Sequence, residues 1–248
     1  MMEYTTPDKQ IMRNVAVKNS NILEALNPWK DWVLSNKENI IRNFKCHDTT
    51  SDGWRGFEGN GKGMPSDYFF TDDYRNSIVQ MGQKHDGYPA GGKFYNLRPE
   101  QADPEPDHYF DGAFKNDFID TYNKFNDKLI LDLGIRRNAL CTAYPEDGFI
   151  GWHNNANASS YNLIFTYSET GNGYWQHIDP HTSEIVTVPD IKGWQCKAFY
   201  FGAYDEDPEH LVYHTARSIE GWRLTISYVF DRHNKDWWLD AIEEIEND

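Results

Sequence analysis

Four residues in the second half of this chain could do chemistry together: His153, Asn155 two places on, His214 well downstream, and Arg223 nine residues after that. Residues i and i+2 of a strand point to the same face, so His153 and Asn155 can converge on one point. A ligand from another strand can then complete a facial set around a divalent metal. Imidazole suits such an ion, and an amide oxygen can coordinate it without supplying the charge of a carboxylate. Arg223 adds a planar, permanently charged fork that pairs with a carboxylate through two hydrogen bonds. Taken alone, Arg223 reads as a surface residue of an edge strand. Beside His214 and the alternating Leu224, Ile226, Tyr228 and Phe230, it reads as part of a site. A second set is His177-Ile-Asp179-Pro-His181, where alternate residues could present two imidazoles and a carboxylate, although Pro180 and Thr182 make the segment look like a hairpin tip.

The elements that must position these residues change character near residue 136. Beyond it, period-two segments separated by turn residues predict eight strands, roughly 138–144, 149–153, 161–168, 173–178, 184–188, 196–202, 210–215 and 222–230. Eight antiparallel strands make a jelly roll. In this reading His153 ends the second strand, His214 ends the seventh and Arg223 begins the eighth. Before residue 136 the pattern is helical and loop-rich. Pro28 opens a helix with Trp29, Trp32, Val33, Ile40, Ile41 and Phe44 at helical spacing, and Asp72 to His85 is a second candidate. A longer helix covers Asn116 to Leu133, with Gly134 placed to cap it, while 52–64 and 87–106 read as loops. The expected organisation is one domain over 1–248: a helical and loop support (1–135), a mainly β jelly-roll core (136–232) and a helical tail (233–248).

Composition narrows the function. Of the 248 residues 15% are aromatic, which favours a packed, sheet-rich protein over disorder. A formal charge of −15 argues against direct binding to nucleic acid or an anionic membrane, both of which need basic surface. Cys46, Cys141 and Cys196 are odd in number and widely spaced, which excludes a disulfide framework and fits a reducing, cytoplasmic setting. The first thirty residues carry no apolar signal core, and no apolar run is long enough to span a bilayer.

From Thr142 to Asp231 the chain resembles the double-stranded β-helix core of the 2-oxoglutarate/Fe(II)-dependent oxygenases, closest in spacing to the prolyl hydroxylase branch. The residues that carry the resemblance are Tyr144, Gly148 and His153 in AYPEDGFIGWHNN, His214 in VYHTAR, and RLTISYVFD from Arg223 to Asp231. It implies Fe(II) on His153 and His214, the far carboxylate of 2-oxoglutarate on Arg223, and added hydrogen bonds from Tyr144 or Tyr167 and from Thr225. Asn155 stands where the family has its metal-binding Asp. An amide there keeps the ferrous site more positive and removes its hardest ligand, and being about as large as Asp it fills the gap a halide would need.

Two classes of function follow from this resemblance. One is an oxygenase using Fe(II) and 2-oxoglutarate to hydroxylate a small-molecule or peptide substrate. The other is a non-catalytic jelly roll, a binding or structural protein that kept the shell of the site. Arg223 favours the first, Asn155 the second.

Overall fold

The computed structural model describes residues 12–51, 63–82, 91–100, 112–135, 137–156 and 158–247. Most of the expected loop 52–64, the flanks of 87–106, residues 83–85 and Asn157 lie outside them. No helix among the described residues is long and apolar enough to cross a membrane.

Eight strands build the core: β4 (Arg137–Tyr144), β5 (Phe149–His153), β6 (Ser160–Ser168), β7 (Gly173–Ile178), β8 (Ile185–Pro189), β9 (Gly193–Phe201), β10 (His214–Ser218) and β11 (Arg223–Asp231). They pair antiparallel as two sheets, β9-β6-β11-β4 and β5-β10-β7-β8, the arrangement of a jelly roll. Three further strands precede them. The first, β1 (Met12–Val15), extends the first sheet beyond β9, and β2 (His47–Asp48) pairs with β3 (Gly92–Asn96). Strand β3 bonds to both sheets, to β4 through Tyr95 and Asn96 and to β5 through Gly92 and Lys93. A glycine- and proline-rich surrounding hides β3 from a local reading, because its partners come from distant strands.

Alternation along β11 decides which side chains reach the site. Leu224, Ile226, Tyr228 and Phe230 point outward into a core shared with helices, while Arg223, Thr225 and Ser227 point into the space between the sheets. Both faces of the sheet are therefore covered, and β11 is buried almost throughout. The helices are α1 (Ser20–Ser35), α4 (Gly112–Asp132) and α5 (Lys235–Glu246), with α2 (Lys37–Asn43) and α3 (Asp72–Met81) between the first two. Trp29 of α1 lies 4.9 Å from Phe125 and 6.1 Å from Phe118 of α4, ring centroid to centroid, and it stacks on Trp32 at 5.5 Å. Such aromatic pairs add about 0.5–1.5 kcal/mol each beyond their buried area.

Several boundaries differ from the sequence reading: the helix expected from Pro28 to Phe44 is two helices, α1 and α2, α3 ends at Met81, and α4 begins at Gly112 rather than Asn116. Helix α1 starts at Ser20 rather than at Pro28, because the Asn19 side chain accepts hydrogen bonds from the backbone of Asn21 and Ile22. Pro28 is thus inside the helix, where the stripe Ile22, Ala25, Leu26, Trp29, Trp32 and Val33 holds it in place. His214 begins β10 rather than ending an earlier strand. Pro208–His210 wraps into a 3-10 turn closed by bonds from the His210 and Leu211 amides to the Asp207 and Pro208 carbonyls, which delays the strand.

Candidate active site

A cavity of about 550 Å³ opens between the two sheets. His153, Asn155, His214, Tyr144, Arg223 and Thr225 all line it.

At one end are the two histidines. They are cross-strand partners on β5 and β10, both buried, with ring centroids 4.1 Å apart. The Nδ1 of His153 is 2.8 Å from the Gly151 carbonyl, and that of His214 is 3.3 Å from the Val212 carbonyl. A carbonyl only accepts, so both Nδ1 atoms carry the proton and the ring lone pairs belong to Nε2. Burial first, and the neighbouring His153 second, hold the His214 pKa well below the ordinary imidazole value. A neutral ring is the form that ligates a metal.

Asn155 follows directly. Its neighbour Asn154 is fully buried and turned away, donating to the Tyr204 hydroxyl at 2.6 Å and accepting from the Ala156 amide at 2.8 Å. Ala156 has φ 52, the left-handed region that costs a residue with a Cβ about 1–2 kcal/mol. Backbone strain of this kind concentrates at functional sites. Among the described residues no three of His, Cys, Asp and Glu form a metal-binding group.

The second histidine set does not assemble. Asp179 accepts from the backbone amides of His181 and Thr182, closing the β7–β8 hairpin. His177 turns inward, stacked on Trp175 at 4.7 Å, and burial lowers its pKa to about 4.

At the other end is Arg223, 1% exposed. Its Nε donates to Asp190 Oδ2 at 2.8 Å and its Nη1 to Thr225 Oγ1 at 2.6 Å. Tyr144 lies beneath the guanidinium, 5.4 Å from Cζ to the ring centroid, and burial raises its pKa to about 12. One guanidinium edge is therefore occupied by Asp190, and the Nη1/Nη2 edge retains donors for a ligand. Tyr167 does not take part. It pairs with Leu224 in register and so lies on the outer face, 5.3 Å from Trp194.

Sequence reasoning missed Asp190 and Lys197. Asp190 also accepts from Gln195 at 2.9 Å, and Lys197 Nζ lies 3.7 Å from its Oδ1, too long for a hydrogen bond. Asp190 follows a proline in a turn and gives no local signal. Lys197 could have been found, because on β9 it alternates with Phe199 and Phe201 on one face while Cys196, Ala198 and Tyr200 fill the other.

Burial, with Arg223 next to it, lowers the Lys197 pKa from 10.5 to about 8. The unfolded chain therefore holds this proton more tightly than the folded one. The resulting penalty is present below about pH 8 and is relieved as pH rises toward the unfolded value. Wild type should gain about 2 kcal/mol over Lys197→Met between about pH 8 and about pH 9.5. Urea melts of both proteins test this, and a constant difference would mean a solvated ammonium.

No family model and no curated protein matches the chain. Among solved structures it is similar to a prolyl-4-hydroxylase of Pseudomonas putida, at 11% identity over 80% of this chain and 98% of that one, with a TM-score of 0.29. A viral collagen prolyl hydroxylase from Paramecium Bursaria Chlorella virus-1, solved as a 2OG complex, gives 10% identity over 75% and 94%, also at 0.29. A protein described as a predicted oxalate decarboxylase from Thermotoga maritima gives 12% identity over 38% and 66%, at 0.23.

Proposed function

We propose that the chain is a 2-oxoglutarate-dependent oxygenase whose Fe(II) would be held by His153, His214 and Asn155. The observation that carries this reading is that two buried imidazoles and a buried arginine face one cavity from opposite ends. The donor set suits a ferrous ion, though more weakly than one with a carboxylate, since Asn155 leaves the ion's charge unreduced. Bound iron would supply the activation of O2, one oxygen atom of which ends in succinate as 2-oxoglutarate loses CO2 while the other hydroxylates a C–H bond of a second substrate.

The protein's own part is placement. His153 and His214 are oriented by backbone carbonyls at Nδ1, the kind of contact that fixes the ring of a metal-binding histidine. Arg223, held by Asp190 and Thr225, sets where the far carboxylate of the keto acid lies. Trp175, Ile164 and Phe201 give the walls between an apolar surface.

A second reading, a non-catalytic jelly roll, is favoured by Asn155 and by the prior engagement of Arg223 with Asp190. The two separate in one experiment. Metal-stripped protein reloaded with Fe(II) should convert 2-oxoglutarate to succinate under air, and His214→Ala should lose both iron and turnover. Protein that binds no iron would establish the second reading.

A further inference from the structure

We propose that Lys197 and Thr166 receive the ligand's distal carboxylate, with Arg223 fixed beside it by Asp190. The inference rests on the keto-acid reading above for the identity of the ligand.

Register brings these groups together. Lys197 pairs with Ile164 across β9 and β6, and Thr166, two residues on along the same face, pairs with Thr225 of β11. Lys197 and Thr166 line the same cavity as Arg223. Lys197 is 1% exposed and Thr166 fully buried, yet neither the ammonium nor the Thr166 hydroxyl has a hydrogen-bond partner among the described residues. A buried ammonium with unmet donors is costly, and such groups in native proteins call for an explanation. Two unmet donors facing one void describe the shape of a missing acceptor.

Charge identifies that acceptor. Asp190 Oδ2 accepts from Arg223 Nε, its Oδ1 accepts from Gln195 and, at 3.5 Å, from Arg223 Nη2, and it only approaches Lys197. Two cations and one carboxylate leave one positive charge uncompensated at this end of the cavity. A monoanionic carboxylate neutralises it, whereas a phosphate dianion overshoots. The arrangement also separates two roles: Arg223 is mostly satisfied within the protein and acts as a fixed wall, while the ammonium gains its first hydrogen bonds when the ligand arrives. The lowered Lys197 pKa agrees, since an anion at this place would restore the charged form.

The test compares 2-oxoglutarate with 2-oxopentanoate, which is the same keto acid without the far carboxylate, by calorimetry on the full chain with Mn(II) added. Wild type should prefer 2-oxoglutarate. Lys197→Met, similar in length and without charge, should lower that preference by tenfold or more, and Thr166→Val by several-fold. Melting temperatures at or above wild type would show that the Lys197→Met protein is folded, and Thr166→Val carries the test if it is not. An unchanged preference in both variants overturns the assignment and leaves the keto-acid reading standing. A wild type that binds neither keto acid overturns that reading, and this inference with it.

Discussion

Arg223→Ala is expected to destabilise the protein by about 3–5 kcal/mol in urea denaturation, because it strands the Asp190 carboxylate in the interior. Asp190 has a fully buried side chain, and without Arg223 its nearest cation is Lys197 at 3.7 Å. Removing both partners relieves the stranded charge, so Asp190→Ala/Arg223→Ala should cost less than the two single changes together, by about 1–3 kcal/mol. Additive losses would show that the pair is not coupled. The same single variant should lose keto-acid binding. Arg223→Lys should recover only part of it, since an ammonium cannot serve Asp190, Thr225 and a ligand with the geometry of a guanidinium fork.

Asn155→Asp should raise iron affinity on the order of a hundredfold, about 3 kcal/mol, by placing a formal charge against a divalent ion at a half-buried position. Iron per chain after dialysis against graded chelator measures it, and succinate release without a second substrate should rise in parallel. No gain in iron and no succinate would mean that the cavity lacks more than a carboxylate, and the non-catalytic reading would replace the oxygenase. Wild type is expected to be slower than the variant without being silent, because an amide oxygen can also coordinate a metal.

Much of this was legible in the sequence, for physical reasons that differ by element. Strands β5 and β7 fall where alternation and turn residues place them, because their inward and outward faces differ and turns bound both ends. The outward stripe of β11 identified its face, and hence the inward direction of Arg223. The same rule excludes Tyr167, which is one residue out of phase with Thr166 and Ser168. Strands β1, β2 and β3 were illegible because they are short and stabilised by partners far along the chain. Asp190 was illegible because a buried acid in a Val-Pro-Asp turn looks the same as a solvated one until its arginine is in place.

The position of β3 has a mechanical consequence. It joins the sheets like the spine of a book, while β1 and β8, at the far ends of the strand order, are not paired with each other. Any parting of the sheets therefore pivots along β3. His153 and His214 lie on β5 and β10, the two leaves nearest the spine and within one sheet, so their spacing is kept through such a motion. Lys197, on β9 near the outer margin of the opposite sheet, is farther from that spine than either histidine. The two imidazoles thus share one sheet, and the basic groups lie on the sheet that faces it.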